Sequence, residues 1–387
     1  MEEQRVILTA ESVTDGHPDK LCDLTADRIL DACLEKDADA RVACEVLGTA
    51  GKVFVAGEIT VKEMPDIPAI VSQVMKECSD MEEYEIEIAL HEQSKEIRQA
   101  IDKEQGLGAG DQGVMVGYAT NETEEMLPLP CVLAHRITSE LTQARLENRI
   151  RGLGPDGKAQ VSVEYADGET RRIAAVIVSC QHAKDKDIGE LRKEIQSVVL
   201  PVALSVYPMD EATELLINPS GQFTKGGFMA DTGLTGRKLM VDAYGPLVPH
   251  GGGAWSGKDA TKVDRSGAYM ARYVAKQVVA AGLADQCVVT LAYAIGNAEP
   301  VSIEVNTLDT GEYADDLLTQ AVRNLFDFRP EQIIRHLQLK EPLFALTTNY
   351  GHFGKEYLPW ERLDMALQLR CEVEKLDGKT RGGKKRV

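Results

Sequence analysis

The sequence predicts an α+β protein of three structurally similar domains in a pseudo-threefold arrangement, each a sheet backed by helices. Three observations predict it. The chain has 387 residues, more than one domain usually holds. A unit of helix, β-hairpin and helix recurs three times along it. Two glycine-rich stretches interrupt the recurrence, one after each of the first two copies. The domains then fall at 3–101, 107–224 and 226–363, with a basic tail at 379–387.

The first copy opens with an amphipathic helix near 19–36, where Cys22, Ala26, Ile29, Leu30 and Cys33 form one stripe. Alternating strands Arg41–Leu47 and Val53–Val61 follow, joined by the turn Thr49–Lys52. Ile67, Ile70, Val71, Val74 and Met75 mark a helix near 66–78. The second copy has a helix near 131–149, then strands Gln160–Tyr165 and Arg171–Ser179. Ala166-Asp167-Gly168 between them is a strong hairpin signal. A helix near 187–199 closes this copy. The third has a helix near 264–282, strands Cys287–Ile295 and Val301–Thr307, and a helix near 313–327. Between the second and third copies a strand is expected at Lys238–Tyr244. Gly106 to Gly110 has the composition of a mobile hinge.

Composition narrows the function. Net charge is −19, which argues against nucleic-acid binding. Five basic side chains and no acid occupy Lys379–Val387, a short end expected to be disordered and solubilising. No apolar run reaches the roughly 20 residues a membrane span needs. The acidic start lacks the pattern of a secretion signal, so a cytoplasmic protein is expected. The eight cysteines form no C-x-x-C pair and no zinc spacing with His, and are expected to be reduced and mostly buried.

An acidic protein that binds an anion must gather positive charge locally. Ten of the 33 glycines lie between Gly221 and Gly257, where an even spread would give about three. Lys225, Arg237, Lys238, Lys258 and Lys262 are interleaved with or follow them. Glycine lets backbone N–H groups approach an anion, so Gly221–Asp264 reads as a polyphosphate-binding segment. Gly252 to Asp259 nearly spells a P-loop, but Asp259 stands where a Ser or Thr hydroxyl should meet Mg²⁺. No strand leads directly into it either, so that motif is rejected while the phosphate function is kept. A bound polyphosphate also calls for a metal, and Mg²⁺ favours carboxylate oxygens. Asp264 stands at the head of a helix. So does Asp19, in Gly16-His17-Pro18-Asp19-Lys20, where Pro18 suits the first helical position and His17, Asp19 and Lys20 surround an anion-attracting N-terminus. Simple capping would explain Asp19 equally well taken alone.

Gly16–Lys20, Gly108-Ala109-Gly110-Asp111-Gln112-Gly113, Gly233-Leu234-Thr235-Gly236-Arg237-Lys238 and Gly251–Lys258 together resemble the signature segments of the methionine adenosyltransferase (S-adenosylmethionine synthetase) family. The resemblance runs in order from about residue 6 to 365. It implies a subunit of three similar α+β domains, assembling as a dimer or a dimer of dimers with active sites at the dimer interface. It implies that ATP and L-methionine are joined to S-adenosylmethionine, with triphosphate leaving and then being cleaved to phosphate and diphosphate. Mg²⁺, two ions per site, and K⁺ are the implied ions.

By matching motifs the resemblance also implies roles. His17 stands beside the oxygen that bridges ribose and triphosphate. Lys158, Arg237, Lys238 and Lys258 contact triphosphate, with Arg237 and Lys238 best placed for its later cleavage. Asp19 and Asp264 are Mg²⁺ ligands and Glu45 the K⁺ ligand, although Glu45 opposes Val42, Cys44 and Val46 on its strand and could simply be exposed. Glu58 and Gln93 contact methionine, Asp231 its amine and Lys262 its carboxylate. Asp111, Asp156, Gln222, Phe223, Asp231 and Ala254 complete the ATP site, Phe223 by stacking on adenine.

Three features depart from the pattern. Gln222 replaces a cation found in many relatives, the loop between Gln93 and Gly108 is shorter than in some bacterial relatives, and the basic tail has no counterpart. In the family that loop gates the site. Two other functions compete. A kinase or NTPase would need a base for an attacking hydroxyl, and no such catalytic loop is visible. A catalytically silent nucleotide-binding subunit should have lost some of His17, Asp19, Lys258 and Asp264, and all four are present.

Overall fold

The structure is a computed structural model and describes residues 5–94, 102–103 and 106–383. Helices and mixed sheets alternate along it, so the α+β class holds: among the described residues three larger sheets are backed by helices, and Asp102–Lys103 pairs with Gly106–Leu107 as a fourth, two-stranded one. All three expected hairpins are present. They span Arg41–Thr49 with Lys52–Thr60, Leu153–Ala166 with Glu169–His182, and Gln286–Tyr293 with Ser302–Asn306. Asp167 and Gly168 both adopt positive φ, as a tight two-residue hairpin turn requires.

Each hairpin is extended by a strand from a different stretch of chain. Arg5–Val13 pairs antiparallel with Leu153–Ala166. Gly233–Leu234 pairs antiparallel with Arg41–Thr49, and Gly113–Thr120 with Gln286–Tyr293. The first two sheets gain a fourth, parallel strand, Glu214–Ile217 and Glu85–His91 respectively.

The chain forms two compact units. One comprises Met1–Glu92, Pro128–Leu247 and Pro342–His352, and contains the first two sheets. Helix Leu129–Leu146 covers the first sheet, burying Leu133, Ile137 and Leu141 in one core with Val161, Val163, Val176 and Val178. Helix Pro18–Lys36 lies on the second, with Ile29 and Cys33 as buried as Val42, Cys44 and Val46. The other unit comprises Gln93–Leu127, Val248–Glu341 and Phe353–Val387. Helix Val263–Ala280 backs its sheet, and Gly117 allows the approach: a Cβ there would lie 2.0 Å from the Ala271 carbonyl carbon.

Several expectations are corrected. Lys238–Tyr244 is not a strand; Leu239–Asp242 is one helical turn. The hinge expected at Gly106–Gly110 is anchored, because Ala109 exchanges backbone hydrogen bonds with Gly296 and Asn297. The basic end is helical to Gly383, continuing the helix from Ala366, and 384–387 lie outside the described residues. Most of the expected gating loop, 95–101 and 104–105, lies outside them too. The cysteines are free, and all but Cys371 are buried. Among the described residues, no helix is long and apolar enough to cross a membrane.

Candidate functional site

The first turn of helix Pro18–Lys36 gathers four candidate residues of the first unit, His17, Asp19, Arg237 and Lys238. Pro18 occupies the first helical position, where its missing N–H costs nothing. His17 caps the helix, its Nδ1 accepting from the Asp19 N–H at 3.2 Å. A neutral imidazole that accepts at Nδ1 carries its proton on Nε2. Burial, then the nearby Lys238 ammonium, lower the His17 pKa to about 3. The ring is therefore a neutral donor at physiological pH.

Asp19 is enclosed, yet it gathers cations. Arg237 Nε lies 3.0 Å from Oδ1, and Lys238 Nζ donates to Oδ2 at 2.7 Å. The Leu234 N–H donates to Oδ1 at 3.1 Å. Burial acts to raise the Asp19 pKa, but the Lys238 hydrogen bond and charge outweigh it, and the net shift is downward. Gly233 makes this approach possible. A Cβ there would sit 2.2 Å from the Pro18 carbonyl oxygen, so only glycine lets this strand lie against the helix start.

Lys158 stands on the neighbouring strand opposite Val13 and helps depress the His17 pKa. Asp156, two residues earlier, is buried and accepts from the Gly227 N–H at 2.9 Å; burial raises its pKa to about 6. Phe223 is half-buried and doubly anchored. Its N–H donates to His182 Nε2 at 3.1 Å, and its carbonyl accepts from the His182 N–H at 2.9 Å. His182 Nδ1 in turn donates to the Ala183 carbonyl. Gln222 beside it is exposed, as is Asp231, whose Oδ1 accepts from the Thr232 N–H. Glu45 and Glu58 share the outer face of their hairpin, away from Val42, Cys44 and Val46, so the exposed position foreseen for Glu45 is observed. Glu58 lies 3.5 Å from His91 Nε2.

The remaining expected residues belong to the second unit: Gln93, Asp111, Ala254, Lys258, Lys262 and Asp264. The stretch read as one segment, Gly221–Asp264, therefore divides after Leu247. Asp264 is in the first turn of helix Val263–Ala280, and Lys258 Nζ donates to its Oδ2 at 2.8 Å. Gly253 has no room for a side chain, because a Cβ would stand 2.3 Å from the Asp264 carboxyl carbon. Lys262 pairs with the buried Asp259 carboxylate, which also accepts from Thr261. Asp259, where a P-loop would have a hydroxyl, thus holds Lys262 and Thr261. Asp111 is exposed and accepts from the Gln112 N–H, and Ala254 is half-buried.

Lys20 corrects the sequence-based expectation. It is not open to an anion at the helix N-terminus; it is buried between Asp23 and Asp242. Reading the sequence missed His182 and Gln181. Gln181 Oε1 accepts from the Asp156 N–H, and its Nε2 donates to Asp80. The only available signal was their place at the end of a strand.

Among the described residues no three His, Cys, Asp or Glu side chains cluster as a metal cage. Lone carboxylates beside cations can still hold a divalent ion when phosphate oxygens supply other ligands.

Models of the S-adenosylmethionine synthetase N-terminal, central and C-terminal domains match residues 5–105, 106–223 and 225–362. Two proteins named S-adenosylmethionine synthase, from two strains of Staphylococcus epidermidis, are each 46% identical over 391 aligned positions. Those alignments cover 95% of this chain and 98% of each relative. The geometry around Asp19 and Asp264 thus sits in a chain that belongs, over nearly its whole length, to the S-adenosylmethionine synthetase family.

Proposed function

We propose that this enzyme makes S-adenosylmethionine from ATP and L-methionine by attack of the methionine sulfur on C5′ of ATP, with intact triphosphate as the leaving group. Family membership carries the overall reaction. The observation that supports this mechanism is the convergence of Arg237 and Lys238 on Asp19, beside the neutral donor His17.

A thioether has no proton to lose, so the attack needs no general base. It needs stabilisation of a leaving group that gains negative charge. His17 Nε2–H donates to the oxygen that bridges C5′ and triphosphate. Lys158, Arg237, Lys238 and Lys258 hold the triphosphate, and Arg237 and Lys238 then assist its cleavage. Glu58, Gln93, Asp231 and Lys262 hold methionine in line with C5′. Asp111, Asp156, Gln222, Phe223 and Ala254 hold the nucleoside, with Asp231 bordering both substrates.

The family uses metal ions. Asp19 and Asp264 offer the hard oxygens that Mg²⁺ takes, one ion each, and Glu45 offers one to K⁺. Bound Mg²⁺ would neutralise phosphate charge. The same family resemblance supports a homodimer or dimer of dimers with shared active sites, and a cytoplasmic location.

The test is product analysis by mass spectrometry after incubation with ATP, methionine, Mg²⁺ and K⁺. S-adenosylmethionine with phosphate and diphosphate is expected. ADP as the main product would sink the proposal in favour of phosphoryl transfer, and no turnover would favour a silent subunit.

A further inference from the structure

We propose that Lys20 and Asp242 are positioning residues that hold Arg237 and Lys238 where a triphosphate would meet them. The inference rests on the function proposed above.

Lys20 is adjacent to Asp19 in sequence, but its ammonium points the other way. It is wholly buried and paired with Asp23 at 3.1 Å and with Asp242. Asp242 lies 222 positions along the chain and ends the helical turn Leu239–Asp242. The bonds from helix Pro18–Lys36 bracket Arg237 and Lys238 on both sides. Before them, Asp19 Oδ1 accepts from the Leu234 N–H at 3.1 Å, and Asp23 Oδ1 from the Gly236 N–H at 2.8 Å. After them, the Asp242 N–H donates to the Lys238 carbonyl at 2.8 Å, while Lys20 holds the Asp242 carboxylate. The Asp242 carbonyl also accepts from the His352 N–H at 2.9 Å.

The result is a short segment pinned at both ends by one helix, with the two cations between the pins meeting the same Asp19 carboxylate. Replacing a buried ion cluster with apolar side chains often leaves stability unchanged or raises it, so stability is a weak reason for this one. Its directional bonds fix instead the path of the backbone. Preorganised charge acts only when it is held to about 0.5 Å.

The test compares wild type, Asp242→Asn, Asp242→Leu and the double variant Lys20→Met/Asp242→Leu, all as the full chain with ATP, methionine, Mg²⁺ and K⁺. Asparagine keeps an acceptor for Lys20 and should retain turnover within about threefold. Leucine removes the acceptor, so kcat should fall at least about tenfold while the KM for methionine moves less than about threefold. The double variant leaves no Lys20 charge stranded, Asp23 keeping the Gly236 N–H as a partner, and a thermal unfolding curve checks that it is folded. It carries the comparison if Asp242→Leu does not fold. A folded double variant with wild-type kcat overturns the inference, as does an asparagine variant that loses as much as leucine. Wild type that forms no S-adenosylmethionine would instead overturn the proposed function.

Discussion

Lys238 donates its ammonium proton to Asp19 across 2.7 Å. The bond joins a side chain proposed for triphosphate to one proposed for Mg²⁺. The second unit repeats the pairing, with Lys258 on Asp264 at 2.8 Å. Each carboxylate thus has a lysine as a hydrogen-bond partner. At Asp19, against the effect of burial, the Lys238 hydrogen bond and charge hold the carboxyl below its ordinary range.

Lys258 is partly exposed, so its ion pair adds little to folding. Lys258→Ala should depress kcat about 100-fold or more, as loss of one charge-stabilising donor does. Thermal unfolding should shift by only a few degrees, about what 1 kcal/mol produces. Steady-state kinetics beside a melting curve checks both. A variant that unfolds would make the lysine structural.

His17 should act as a hydrogen-bond donor and not as a titrating acid. Burial, then Lys238, depress its pKa from the ordinary imidazole value to about 3. A depressed imidazole is neutral above that value, and its contribution to stability is lost only as pH falls from about 6.5 toward it. The kcat profile between pH 6 and 8 should therefore show no inflection from this residue. His17→Ala should cost about 100- to 1,000-fold in kcat at every pH in that range. A wild-type inflection near pH 6.5 that His17→Ala abolishes would contradict this role.

Asp156 makes a prediction about stability. Burial raises its pKa to about 6, above the ordinary value near 3.9. A raised carboxylate favours folding below the unfolded value, and that contribution disappears as pH rises through about 6. Asp156→Asn should accordingly melt above wild type at pH 8, by at most about 3 kcal/mol, with the difference closing by pH 4. A gap equal at both pH values would show that Asp156 is not held protonated by its surroundings.

If Glu45 holds K⁺, omitting K⁺ should slow wild type several-fold, and Glu45→Gln should remove the response. Activity measured across a K⁺ titration decides it. A wild-type rate indifferent to K⁺ would count against this role.

The hairpins and their backing helices were legible because each forms within a few dozen residues, by local turns and alternating side chains. Helix Pro18–Lys36 announced itself through Pro18 and its apolar stripe. The added strands were not legible. Arg5–Val13 has buried side chains only at its end, and its partner begins near residue 153. Gly113–Thr120 is buried on both faces from Met115 on, so it lacks alternation. Leu239–Asp242 has the apolar residues of a strand, but it closes a helical turn whose last residue, Asp242, pairs with Lys20. At the candidate site, motifs singled out Asp19 and the two cations, Arg237 and Lys238, that the structure pairs with it. Those motifs could not show that Lys20 turns away, because its partner is supplied by tertiary structure.

The central claim, that sulfur attacks C5′ and breaks its C–O bond, is tested most directly by a single turnover with ATP carrying ¹⁸O in the C5′–O–P bridge. Sulfur attack on C5′ breaks the C–O bond. All the label should then appear in the phosphate and diphosphate, and S-adenosylmethionine should form in equal amount with the triphosphate consumed. Label retained in an adenosine phosphate would mean that a P–O bond had broken instead, and would contradict the account.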